Sequence, residues 1–123
     1  NKSEGYFRKI ENKITLGVLK KNKAVISLGG GAFLNKSIRR AVKESSISFW
    51  LDVGIDELIK RLNKTKKRPL LLTKNLKDEV NKIYLERKKN YSEADFRVKC
   101  NFMKPEEIVN KILKIYEESG NKI

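Results

Sequence analysis

Val25-Ile26-Ser27-Leu28-Gly29-Gly30-Gly31-Ala32 is the stretch around which the chain is organised. Val25 to Leu28 is short, apolar and β-favouring, which predicts a strand buried on both faces of a sheet. Three glycines follow at once. With no Cβ in the way, backbone N–H groups there can come close to a ligand. In open α/β sheets ligands bind just beyond the carboxyl ends of strands. A strand also ends in glycine simply to turn, so the surrounding chain has to separate the two readings.

Before this stretch, Tyr6, Ile10, Ile14 and Val18 recur every four residues. They predict a helix from Ser3 or Glu4 to about Lys20 with one apolar face. After it, Asn35 is placed to cap a short helix through about Lys43, with Ile38 and Val42 inward. Ile47 to Leu51 reads as a second strand and Gly54 to Leu62 as a helix. Asn63 to Lys74 has no periodicity and carries Lys64, Lys66, Lys67 and Arg68 ahead of Pro69 and three leucines. Such a basic, irregular segment reads as a flap over an anion, and Arg68 before proline is biased toward an extended conformation. Asn75 is placed to cap a long helix from Leu76 to about Ser92, with Val80, Ile83, Tyr84, Arg87 and Tyr91 on one face. Phe96 to Cys100 reads as a third strand, and Pro105, Glu106 and Glu107 open a last helix that Gly120 ends. Helices alternating with strands predict an α/β layered fold with a parallel sheet.

Composition narrows the function. The 123 residues suffice for one domain with one core. No apolar run approaches the length of a membrane span, and no signal-peptide pattern opens the chain. A single cysteine, Cys100, and no histidine exclude an internal disulfide and a zinc site of the usual kind, and point to a reducing cytoplasm. The formal charge of +14 comes from lysines scattered along the whole chain with few aromatics among them. That pattern suits solvated helix faces better than a nucleic-acid surface, although the positive field draws anionic small molecules.

Arg8 and Arg87 read alone as surface charges on helices, while Arg68 in a loop can carry a planar fork in and out of a site that holds carboxylate or phosphate. Together the motifs Phe7-Arg8-Lys9-Ile10-Glu11, Ser27-Leu28-Gly29-Gly30-Gly31-Ala32, Arg68-Pro69-Leu70-Leu71 and Arg87 with Tyr91 four residues on resemble shikimate kinase, in order and interval, over nearly the whole chain. The resemblance implies a small three-layer P-loop kinase fold with a parallel sheet. The activity implied is transfer of the ATP γ-phosphoryl to the 3-hydroxyl of shikimate, with Mg2+, on the route to aromatic amino acids. It implies that Arg8 and Arg87 hold the shikimate carboxylate and that Gly30 gives a backbone contact to a hydroxyl, Gly29 and Gly31 shaping the turn. Arg68, the catalytic candidate, would sit in a lid at about 63–74 and reach the ATP phosphates. Arg61 would lie against adenine. A cytoplasmic protein is implied, monomeric at full length, with no nucleic-acid or membrane partner.

The chain departs from the family in one respect. The phosphate loop, Gly-x-x-x-x-Gly-Lys-Ser/Thr after a strand, is absent. So are the acidic residues that follow the family's second strand, and no metal ligand is assigned here. The chain is expected to begin after the first two strands, lacking on the order of fifty residues. The expected sheet is therefore incomplete, and these 123 residues alone are expected to be inactive. The polar residues usual in the family's adenine-facing loop are also missing from Cys100 to Lys104. Two other readings remain open: a basic, non-catalytic module that binds nucleic acid or protein, and a related P-loop kinase for another small acid such as gluconate. Arginines converging on the glycine turn favour a kinase; arginines spread over one convex face favour the module.

Overall fold

The structure is a computed structural model that describes residues 2–21, 23–64 and 74–120. Its elements run α1 (Lys2–Val18), a 3-10 turn (Ala32–Leu34), α2 (Lys36–Ser45), β1 (Phe49–Asp52), α3 (Ile55–Lys64), α4 (Lys74–Tyr91), β2 (Phe96–Lys99) and α5 (Pro105–Glu118). Among the described residues the sheet has two strands, β1 and β2, paired in parallel with Phe49 opposite Phe96 and Asp52 opposite Lys99. Their register is fixed at both ends. At the start, Ser48 N donates to Asp95 Oδ2 and Asp95 N to Ser48 Oγ, each at 2.9 Å. The Phe49 and Phe96 rings stack with centroids 5.4 Å apart. At the far end Cys100 N donates to the Asp52 carbonyl at 2.9 Å.

The strand expected at Val25–Leu28 does not form. Residues 24–29 are neither helix nor strand, and Val25 is 104% exposed. A strand exists only where its N–H and C=O groups find a ladder partner. No described strand lies beside this segment, and β1 pairs with β2 instead. Ile26 and Leu28 still pack on the core made by Leu19, Ala32, Phe33, Ile38 and Val42. The segment is thus half-buried in alternation rather than buried on both faces.

The face expected to bury α1 is also wrong. Tyr6 and Ile14 are 68% and 61% exposed. Val18, at the end of that face, is half-buried, together with Arg8, Glu11, Asn12, Thr15 and Leu16, and Leu19 is buried, so a charged pair, not an apolar one, leads the packed stripe.

α2 follows the sequence closely. Asn35 Oδ1 accepts from Ile38 N at 3.1 Å, the expected cap, and Ile38 and Val42 are buried. Arg39 on α2 donates from Nη1 to the carbonyls of Phe33 (3.0 Å) and Leu34 (2.7 Å) and pairs through Nε with Glu93 at 3.1 Å. It thereby ties the 3-10 turn to the segment after α4. α4 begins two residues earlier than expected, which puts Asn75 inside the helix instead of at its cap. α5 starts at Pro105 as expected, and Gly120 follows it with φ +90°. Of the expected lid, Asn63 and Lys64 close α3 and Lys74 opens α4, while 65–73, with Arg68, lie outside the described residues. No helix of the described residues is long and apolar enough to cross a membrane.

Candidate functional site

Gly29 to Gly31 form a tight turn leading into the 3-10 turn. Gly29 O accepts from Ala32 N at 3.1 Å, Gly31 O accepts from Leu34 N at 3.2 Å, and Gly30 O accepts from the Tyr91 hydroxyl. All three carbonyls are engaged. The amides of Gly30 and Gly31 have no partner among the described residues, so the turn presents N–H donors.

Each glycine faces a charged side chain. A Cβ built on Gly29 would lie 3.2 Å from Glu11 Oε2, one on Gly30 2.9 Å from Arg87 Nη1, and one on Gly31 2.6 Å from Arg8 Cζ. Gly31 itself has φ −94° and ψ −13°, a conformation open to any residue. Glycine leaves room there for the Arg8 guanidinium, which occupies the space of a side chain; the backbone is not strained. α1 supplies Arg8 and Glu11 one turn apart, ion-paired at 2.8 Å. α4 supplies Arg87 and Tyr91 one turn apart. Adjacent residues lie about 3.8 Å apart in Cα, so the two guanidinium groups are on the order of 10 Å apart or closer. Glu11 offsets part of their repulsion. Two planar forks beside free amides gather hydrogen-bond donors suited to a small anion such as a carboxylate.

Four residues with a part in this geometry, Tyr84, Tyr91, Asp52 and Arg97, were not assigned one from sequence. Tyr91 closes on Gly30 and sets its ring 6.2 Å from Phe33 and 6.1 Å from Trp50. Asp52, buried at the end of β1, accepts from the Tyr84 hydroxyl at 2.8 Å and from Arg97 Nε at 2.7 Å. Burial, with the Asp52 hydrogen bond behind it, raises the Tyr84 phenol above its ordinary value, and the Asp52 hydrogen bond raises Arg97 further. The available signal was the spacing of Tyr84, Arg87 and Tyr91 on one face of α4.

Arg61 is not brought to the glycine turn. It lies on α3, half-exposed, donating to Glu57 Oε1 at 3.1 Å. A separate cavity of about 500 Å³ opens beyond the carboxyl ends of β1 and β2, lined by Gly54, Asp56, Glu57, Lys77, Asp78 and Asn101 among others. Three carboxylates against one lysine make it a poor place for phosphate. Cys100 is fully buried beneath this end of the sheet, and burial pushes its thiol up.

A family profile described as shikimate kinase matches residues 1–117. The chain is 32% identical over 111 residues to a shikimate kinase of Bartonella henselae, covering 90% of this chain and 53% of that protein. It is 37% identical to one of Aquifex aeolicus, covering 91% and 65%, and 31% identical to one of Thermodesulfovibrio yellowstonii, covering 96% and 68%. Against curated relatives such as those of Bartonella henselae, Bartonella quintana and Rhizobium meliloti, it spans about half of their length (53%, 45% and 57%). A crystal structure of the shikimate kinase from Bacteroides thetaiotaomicron superposes with a TM-score of 0.74 at 24% identity, covering 94% of this chain and 68% of that one. That likeness carries the fold: the paired strands and their helices are part of an α/β P-loop kinase architecture. Profile, relatives and fold agree, and the chain belongs to the shikimate kinase family.

Proposed function

We propose that this chain is the shikimate-binding part of an enzyme that transfers the ATP γ-phosphoryl to the shikimate 3-hydroxyl, in the cytoplasm and as a monomer. The observation that carries the reading is the convergence of Arg8 and Arg87 on Gly31 and Gly30. In this reading the two guanidinium groups take the substrate carboxylate as charge-assisted hydrogen bonds, and the free amide of Gly30 donates to a ring hydroxyl. The carboxylate is thereby fixed on the ring, which orients the reacting 3-hydroxyl two ring atoms away. Phosphoryl transfer is promoted chiefly by such positioning and by charge neutralisation.

ATP would be met by Arg61, by Arg68 on the lid segment, and by a phosphate loop that the 123 residues do not contain. Among the described residues no group of three or more acidic, cysteine or histidine side chains could hold a metal ion. The Mg2+ ligands are assigned to the segment that carries the phosphate loop, and no step is routed through the ion here. The same convergence counts against the basic-module reading, which calls for arginines spread over a convex face.

The test is to precede the chain with the phosphate-loop segment of a shikimate kinase and follow 31P signals with ATP, Mg2+ and shikimate. A shikimate 3-phosphate signal is expected from the joined protein and none above background from the 123 residues alone. Product with gluconate and none with shikimate would refute the substrate assignment.

A further inference from the structure

Tyr84, Arg87 and Tyr91 follow one another along α4 at steps of three and four residues, so all three point from one face. The outer two are tethered to different parts of the fold. Tyr84 donates to the buried carboxylate of Asp52 at the end of β1, which Arg97 of β2 holds from its other oxygen. Tyr91 donates to the Gly30 carbonyl and packs against Phe33 and Trp50. Between the two tethers Arg87 sits with Nη1 beside Gly30. Arg87 itself has no acidic partner among the described ion pairs, in contrast to Arg8 with Glu11.

We propose that Tyr84 and Tyr91 are positioning residues: their two hydroxyl tethers fix the rotation and depth of α4 and so hold the Arg87 guanidinium at the glycine turn, ready for a carboxylate. The Tyr84 tether connects this to the sheet, because Asp52 is set by the β1–β2 register. The Tyr91 tether acts on the other partner, since it holds the peptide unit between Gly30 and Gly31 with the Gly30 carbonyl toward α4 and the Gly31 amide free. Each phenol acts through Arg87 or Gly30 and touches no substrate atom. The proposal rests on the carboxylate-binding reading given under Proposed function.

The test compares shikimate with its methyl ester, which has the same ring and hydroxyls but no charge. Dissociation constants are measured by calorimetry for the 123-residue chain and for Tyr84→Phe and Tyr91→Phe. The ratio of ester to acid constants reports the carboxylate contact alone. It is independent of the folded fraction, because partial unfolding raises both apparent constants by the same factor. The parent chain is expected to favour the acid by about tenfold or more, as for a charge-assisted bidentate contact. Each phenylalanine variant is expected to cut that preference at least threefold while changing the ester constant little. An unchanged preference in both variants overturns the proposal. A parent chain that binds acid and ester equally removes the carboxylate reading itself and this proposal with it, whereas a normal preference in the parent with no change in the variants refutes only the tethers. In the ligand-free parent, which avoids any folding defect of the variants, the Arg87 Nε–H order parameter is expected above about 0.6. A lower value shows a guanidinium that is not held and likewise overturns the proposal.

Discussion

Gly31→Ala separates binding from stability. Gly31 has φ −94° and ψ −13°, so alanine fits the backbone, and the smaller entropy of the unfolded chain favours the variant by about 0.4–1 kcal/mol. The new methyl, however, would stand 2.6 Å from Arg8 Cζ, where ordinary contact begins at 3.4 Å. The guanidinium is the far end of a flexible side chain, so it withdraws by roughly 0.8 Å or more. Withdrawal is inexpensive for the fold. It is costly for a ligand, because a charge-assisted bond of about 2.8 Å stretched that far is no longer a hydrogen bond. A hydrogen bond to a charged group contributes about 1.5–3 kcal/mol. Arg8 is 41% exposed, and solvent screening places the loss at the low end, about tenfold in the shikimate dissociation constant. Calorimetry gives the constant, and urea or thermal unfolding gives the stability. Unchanged affinity would show that Arg8 does not hold the ligand from the space in front of Gly31, and a stability loss above about 1 kcal/mol that its guanidinium cannot withdraw.

Three further expectations concern the scaffold. The Cys100 thiol should react slowly with iodoacetamide in the folded chain and quickly in denaturant, because it is fully buried; equal rates would place it at the surface. Burial raises that thiol from its ordinary 9.0, so the unfolded chain loses the proton first. Its contribution is complete below about pH 9 and is lost as pH rises toward the folded value. Urea midpoints should therefore fall above about pH 9, with Tyr84 adding to the fall above about pH 10, and Cys100→Ala should flatten the first part of the curve. Asn35→Ala removes the 3.1 Å bond to Ile38 N and should cost about 1 kcal/mol of unfolding free energy, a value that denaturant titration will confirm or contradict.

How much of this was legible in the sequence varies with the kind of signal. Caps and helix ends were plain at Asn35, Pro105 and Gly120, because side-chain chemistry and φ preference are local properties. Val25–Leu28 was misread because strand propensity says nothing about whether a neighbour offers hydrogen bonds; without one, Ile26 and Leu28 anchor the segment and Val25 faces solvent. The face of α1 was misread for a geometric reason. Positions four apart advance about 40° around a helix at each step, so Tyr6, Ile10, Ile14 and Val18 wind through about 120° instead of forming a straight stripe. Arg8, Glu11, Thr15 and Leu19 keep closer to the helical repeat, and theirs is the packed face. Arg8 and Arg87 could be placed near the glycines only through the order and spacing of whole motifs. The contacts of Tyr84 and Tyr91 had no such guide, since they depend on where α4 lands against β1 and the glycine turn.

The reading of the site stands on two arginines meeting one carboxylate. It is tested most directly by the dissociation constant of shikimate for the 123-residue chain, measured beside Arg87→Lys and, as a control, Arg40→Lys on the exposed side of α2. Lysine keeps the charge and loses the planar fork. Saturable binding that weakens about tenfold or more in Arg87→Lys and is unaltered in Arg40→Lys is expected. No saturable binding, or equal weakening in both variants, would contradict a shikimate site at the glycine turn.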